Sequence, residues 1–321
     1  MKRKRRKTTK QIYRRSFLLS FCLSLLVLCS ITVFTIRSGR GIFLGEAEPV
    51  QGSADIPYPT STSSPENFPV KDSDCLTVLF MGVKDEESTS KTYLLARFDP
   101  VNGQIPLVSL PPQTMVVKPE GDQTPVPLWE AYRYGGRSLA VKALSNTLGV
   151  PIDRYVVMDL KGFQQAAEWI GSVQYSLRYA LNYQDTERTI RLTQGMQLVD
   201  GQKAIDIITY PNYAGGETTR SEITAELAAK IVNDKLSLAA SPTADNLFKR
   251  IINYIDTDIT YKDYETRKAS AAYLANRKGE AAVQLPLDGG WPNTREYHLS
   301  QRFLQQIQTY FGTAQPDSSI S

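Results

Sequence analysis

The chain has 321 residues, 41% of them hydrophobic and 22% charged, a composition that suits a folded protein rather than a disordered or fibrous one. Its formal charge of +4 is unevenly placed: Met1 to Ser16 holds nine Lys or Arg and no acid, Arg37 and Arg40 add two more, and from Gly41 onward 26 basic residues face 33 acidic ones, a net of −7. A net-acidic body argues against a nucleic-acid partner, and the single histidine, His298, argues against a Ser-His triad, a Cys-His pair or a multi-His metal site.

The first element is an apolar run. Residues 17–36, FLLSFCLSLLVLCSITVFTI, carry no charge, and a helix of that length spans about 30 Å, the thickness of a bilayer core. Residues 1–16 form a basic tail that places the N-terminus in the cytoplasm and the body outside. The apolar run is longer than that of a cleaved signal peptide, and TIRSGRG is no small-x-small cleavage site, so an uncleaved single-pass anchor is expected. Residues 37–72, rich in Pro, Ser, Thr and Gly, read as a solvated stalk. Cys22 and Cys29 fall in the membrane run, which leaves Cys75 alone in the exported part without an intrachain disulfide; beside an apolar strand it reads as a buried thiol.

The body, residues 73–312, reads as one α/β domain of three-layer α/β/α type with a mixed central sheet, followed by a loose tail over 313–321. LTVLFMG (76–82), TYLLARF (92–98) and QIPLVSL (104–110) are predicted strands, the last two joined by the turn signal DPVNG. After Gly135-Gly136, a helix over 137–148 is closed by Gly149. A buried strand RYVVMDL, a helix GFQQAAEWIG and two edge-like strands, VQYSLRY and TIRLTQ, follow. GQKAIDIITY begins a helix interrupted by the 211–216 loop, and TRSEITAELAAKIVNDKL is a long amphipathic helix with Ile223, Leu227, Ile231 and Leu236 on one face. NLFKRIINYI, the DITYKDYETRKASAAYLANR segment and a last helix around QRFLQQIQTYF complete the domain.

The chain has no GxGxxG, Walker lysine loop, HExxH, GxSxG or CxxC. The order of its phrases is more informative: FMGVKD, TYLLARFDPVNGQIPLVSLPPQT, PLWEAYRYGG, GVPIDRYVVMDLKGF, WIGSVQYSL, QGMQLVDGQKAIDIITY and TTRSEITAELAAKI together. This succession resembles the LytR-CpsA-Psr family of cell-envelope proteins over about Leu76 to Lys230, and TDITYKDY and GGWPNTREYHLS are similar to its C-terminal part. The resemblance implies a single-pass membrane protein with an extracytoplasmic domain, and transfer of a glycopolymer from undecaprenyl pyrophosphate to peptidoglycan. Such a site needs a Mg²⁺ held by carboxylates and guanidinium groups around the phosphates.

The chain departs from the family pattern where charge is needed. The family's Arg-Ser-Asp-Thr phrase appears as Thr89-Ser90-Lys91-Thr92, an ammonium in place of a carboxylate. Its Ser-Ile-Pro-Arg-Asp-Thr phrase appears as Ser109-Leu110-Pro111-Pro112-Gln113-Thr114; Pro127 stands in place of a Lys, and Tyr210-Pro211-Asn212 in place of a late Arg stretch. Glu217 and Arg220 remain as counterparts of a late Asp and Arg, and are the candidate catalytic residues. The candidate substrate-binding residues are Asp85 after the first strand, Arg97, read as facing away from Leu95, and Arg133 and Arg137, which flank the glycines at a helix start. No metal ligand set is expected; Mg²⁺ enters only if the site is active. Trp129, Tyr132, Tyr134 and Trp169 read as core or pocket lining rather than a sugar platform.

The leading expectation is a catalytically degenerate, membrane-anchored family member that binds polyprenyl-linked glycopolymer, wall glycan or an active paralogue, with no nucleic-acid partner. The alternatives are an active phosphotransferase, which requires Asp85, Glu217 and Arg220 to converge, and an extracytoplasmic structural or partner-binding domain.

Overall fold

The computed structural model describes residues 70–84, 90–121 and 123–312. The expected tail, anchor, most of the stalk and the 313–321 end lie outside the described residues, as does Asp85. Among the described residues no helix is long and apolar enough to cross a membrane.

A six-stranded sheet orders the domain. Its strands are β1 (Leu76–Val83), β2 (Thr92–Phe98), β3 (Ile105–Leu110), β6 (Arg154–Asp159), β11 (Asp256–Thr257) and β12 (Ala282–Gln284), arranged β11-β6-β1-β2-β3-β12. β1 runs parallel to β6 and β12 parallel to β3, while the other neighbours are antiparallel, so the sheet is mixed as expected. The register Leu79↔Leu95↔Val108 and Met81↔Tyr93↔Leu110 stacks one apolar row per strand on the same face. That face packs against α1 (Leu128–Leu148), through Ala140, Ala143, Leu144 and Leu148, and α7 (Gln301–Phe311), through Phe303, Ile307 and Phe311. The alternate row, Leu94, Ala96 and Phe98 with Ile105 and Leu107, faces α4 (Gly216–Lys235) and Leu274 of α6 (Tyr261–Ala275). Strand periodicity thus produces an α/β/α sandwich with both sheet faces covered.

A second lobe carries its own core. The pairs β7 (Val173–Leu177) with β10 (Gly195–Val199) and β8 (Leu181–Gln184) with β9 (Thr189–Leu192) pack Tyr175, Leu181, Ile190 and Val199 against α3 (Gly201–Ile208) and Ile223 and Leu227 of α4. α2 (Leu160–Ile170) packs beside β6, and α5 (Ala244–Ile252) packs on α2. Two short antiparallel pairs, β4 (Met115–Val116) with β5 (Val126–Pro127) and β13 (Gly289–Asn293) with β14 (Glu296–Leu299), stand beyond the sheet.

α1 begins nine residues earlier than the sequence predicts and is broken where the glycines stand. Gly135 and Gly136 leave helical geometry, Gly136 at φ 59° and ψ −159°, a region open essentially to glycine alone. A methyl group added at Gly136 would meet only open space, so backbone strain is the whole effect of a substitution there. Gly136→Ala is expected to lower stability by about 1–3 kcal/mol in chemical denaturation of the full chain.

Candidate functional site

At the end of the sheet where β1 stops and β2 starts, four chain segments meet. Lys91 is exposed in the β1–β2 connection, held by a backbone bond from its N–H to the Gly82 carbonyl (2.9 Å). The buried Ser90 hydroxyl lies 3.1 Å from the carbonyls of both Gly82 and Thr92, which fixes the path of this connection. α4 opens on Gly215-Gly216, and its first turn carries Glu217, where a carboxylate suits the positive end of the helix dipole. Arg220, one turn on, donates through Nη2 to Glu217 Oε2 in an ion pair of mostly buried side chains. Burial pushes the Glu217 carboxyl above its ordinary pKa, and the charges of Arg220 and then Lys91 pull it partly back.

The facing segments come from later and earlier in the chain. Trp291 of β13 donates through Nε1 to Thr218 Oγ1 (2.9 Å), tying the hairpin to the first turn of α4. Its ring lies 5.0 Å from that of Tyr297, whose N–H donates to the Gln113 carbonyl (2.9 Å). Gln113 and Thr114 occupy the turn after β3, and Gln113 Oε1 and Thr114 Oγ1 are buried without a hydrogen-bond partner. Buried polar atoms of that kind carry a desolvation penalty.

The six predicted site residues do not form one group. Glu217 and Arg220 come together, as the active-enzyme alternative requires, while Asp85 lies outside the described residues. Arg97 corrects its prediction: residues two apart on a strand share a face, so Arg97 sits on the Leu95 side. There its Nη1 donates to Thr77 Oγ1 (3.2 Å) and to the Phe311 carbonyl at the end of α7 (3.4 Å). It is 7% exposed, has Asp99 at 3.9 Å and lines a hollow of about 300 Å³ at the far end of the sheet. By strand geometry that is about 20 Å from Lys91.

Arg137 follows the kink in α1, where its Nε donates to Tyr155 Oη (2.8 Å) and its Nη1 pairs with Asp256 (2.9 Å). The Gly-Gly segment therefore breaks a helix rather than opening one, and Arg137 reaches the β6–β11 edge. Arg133 is exposed. Cys75 is half-buried; burial and then Asp99, whose Oδ1 lies 3.6 Å from Sγ, push its thiol up to about 11. It stays protonated at neutral pH.

Sequence reading did not assemble Gln113, Thr114, Thr218 and Trp291 around the Glu217–Arg220 pair. Their phrases, SLPPQT and GGWPNTREYHLS, carry the signal, but which segments face one another is set by the fold.

The described donors do not suit Mg²⁺. Glu217 is the described carboxylate at hand and is already paired with Arg220, whereas Mg²⁺ takes one or two carboxylates free of such competition. Among the described residues no three potential ligands from His, Cys, Asp and Glu cluster together. A guanidinium in the first turns of a helix, at the sheet end that also carries Lys91, instead suits a phosphate.

The profile of the LytR_cpsA_psr family matches residues 48–311, and the chain belongs to that family. An uncharacterized protein of Staphylococcus aureus is 24% identical over 80% of this chain and 64% of its own length. The polyisoprenyl-teichoic acid–peptidoglycan teichoic acid transferase TagU of Enterococcus faecalis is 26% identical over 67% of this chain and 72% of its own length. The crystal structure of Bacillus subtilis TagV superposes with a TM-score of 0.62 at 21% identity, over 74% of this chain and 95% of that one, a likeness of fold. The chain thus spans just under two thirds of the first of these relatives.

Proposed function

We propose that this chain is a single-pass membrane protein whose extracytoplasmic domain has given up phosphotransfer and binds a polyprenyl-pyrophosphate-linked glycopolymer during cell-envelope assembly. The observation that carries this reading is that Lys91, exposed in the β1–β2 connection, stands where the family phrase has a carboxylate, at the sheet end where the Glu217–Arg220 ion pair opens α4. Where the family pattern has a carboxylate, this mouth has a cation, and electrostatics there favours a phosphate over a divalent metal. The name of the Enterococcus relative, a teichoic acid transferase to peptidoglycan, supports the polymer class. The uncharged 17–36 run and its nine preceding cations support the anchor and its orientation. Wall glycan and an active paralogue are the further partners of such a protein; nucleic acid is not.

The contact of Glu217 with Arg220 also favours a second reading, an active glycopolymer phosphotransferase using a rearranged site. A thermal shift of the full chain in detergent micelles with undecaprenyl pyrophosphate, with and without Mg²⁺, separates the two. A metal-independent gain of roughly 2.7 kcal/mol at about 100 times Kd is expected. A gain that requires Mg²⁺ would restore the transferase, and no gain in either condition would leave a domain that works through protein partners.

A further inference from the structure

A second hollow, beside α2 and α5, shares no lining residue with the Glu217–Arg220 pair. It has a volume of about 620 Å³ and is lined by Trp169 of α2, Asn246, Lys249 and Arg250 of α5, and Asn253 and Tyr254 just beyond α5. The two rings meet edge to face, 4.9 Å between centroids and 78° between planes, with Tyr254 half exposed. Close approach is built in at Gly162, where a methyl would stand 2.7 Å from the Tyr254 carbonyl, so the glycine lets α2 close on the turn that carries Tyr254.

The polar wall is regular. Positions 246, 249, 250 and 253 follow the i, i+3, i+4, i+7 spacing of one helix face, while Phe248 on the other side stacks on Tyr264 at 4.3 Å. This outer face carries two amides and two cations and no acid, on a body whose net charge from Gly41 onward is −7. The one acid of α5, Asp245, is taken by Tyr264 Oη (2.7 Å) and Lys268 (2.6 Å). Neither Asn246 nor Arg250 makes a side-chain hydrogen bond or ion pair to any described residue. Lys249 and Arg250 in the last turn favour the helix dipole, which accounts for the cations but not for the aromatic pair and amides beside them.

We propose that this hollow is a second binding site, for an anionic sugar chain bearing phosphate or carboxylate groups. The ring faces offer a platform for the C–H face of a sugar, the Asn246 amide suits its hydroxyls, and Arg250 takes the anionic group; Asn253 Nδ2 already donates to the Lys249 carbonyl (2.8 Å), and the Lys249 ammonium, 5.6 Å from the Tyr261 ring centroid, adds positive charge beside the site. The occupant's class rests on the proposed function; the site itself stands on its own geometry. Such a site would hold the polymer away from its lipid-linked end.

The test is titration calorimetry of the full chain in zwitterionic micelles with a lipid-free glycosylated poly(glycerol phosphate) oligomer, with neutral dextran alongside. Arg250→Gln and Tyr254→Ala change exposed side chains, and circular dichroism would check that each variant is folded. Each variant is expected to weaken oligomer binding roughly tenfold, the size of one lost aromatic or charged contact. Dextran should bind far more weakly. Undiminished binding in both hollow variants would overturn the site. So would equal displacement of the oligomer by inorganic phosphate, which would make it a plain anion site, or by phosphatidylglycerol vesicles, which would make it a membrane contact. Because the lipid-pyrophosphate thermal shift reads the α4 site and the oligomer reads the hollow, failure of one leaves the other measurable.

Discussion

Asp263→Ala is expected to lower stability by about 3 kcal/mol, from the loss of a helix cap together with a partly buried ion pair whose Arg154 side chain is about one third exposed. At roughly 2–4 °C per kcal/mol for a domain of this size, the melting temperature should fall by about 6–12 °C. Asp263 is almost fully buried at the start of α6, where its carboxylate accepts from Arg154 Nε (3.1 Å) and Nη2 (3.0 Å) and from the N–H (2.9 Å) and hydroxyl (2.7 Å) of Thr260. Thr260 in turn caps the Asp263 N–H, a reciprocal capping box. Alanine would leave Arg154 without its carboxylate and the helix without half its cap. The effect reaches the entry of the domain, because Arg267, 3.6 Å from the same carboxylate, donates to the carbonyls of Ser73, Asp74 and Cys75.

The pH dependence has a definite sign. Burial pushes the Asp263 carboxyl up, but the bonds from Arg154 and Thr260 outweigh it and hold the group well below the usual carboxylate range. A depressed folded pKa contributes stability above the unfolded value of about 3.9, and that contribution is lost as the pH falls toward the folded value. Wild type should therefore lose stability below about pH 4 more steeply than Asp263→Asn, which keeps a cap acceptor but not the charge. Superimposable acid limbs, or an Asp263→Ala cost under about 1 kcal/mol, would show that the network is replaceable.

Most of the scaffold was legible because its signals are local. In α7 a serine cap, Ser300, precedes Phe303, Ile307 and Phe311 at helical spacing, and the structure buries all three. β2 matches its predicted span residue for residue, since alternation and the DPVNG turn both bound it. β10 carries no strand signal in the sequence because it turns Met196 and Leu198 outward and Val199 inward, against the rule that apolar residues mark the buried face. The early turns of α1 were hidden by Gly135-Gly136, which read as a start and are a kink. The candidate site was legible as a set of departures from a pattern, but not as a place. Lys91, Gln113, Glu217 and Trp291 come from four separated segments, and only the sheet order and the hairpin contact with α4 bring those segments to one end. Arg97 shows the converse: a cation in the right phrase, buried at the wrong end.

Arg220→Ala is expected to weaken binding of undecaprenyl pyrophosphate roughly a hundredfold, about 2.7 kcal/mol, the scale of removing one member of a hydrogen-bonded charge pair from a partly buried site. Glu217→Gln should do the opposite, tightening binding a few-fold. In the proposed site the Glu217 carboxylate competes with the phosphate for Arg220 and repels it, so neutralising that carboxylate frees the guanidinium. A metal-dependent transferase predicts a loss of binding or turnover in both variants, because the carboxylate is then needed. Acidification offers the same test without mutation. Burial raises the Glu217 pKa, so this carboxyl takes up its proton at higher pH than an exposed glutamate and the unfolded chain does not match it. Its protonated form is the one the fold favours, and the associated stability is lost as the pH rises through the folded pKa. Phosphate binding in wild type should therefore strengthen as the pH drops from 7 toward the ordinary glutamate range, and Glu217→Gln should flatten that response. A pH response retained in full by Glu217→Gln would assign the titration to another group and remove Glu217 from the mouth of the site.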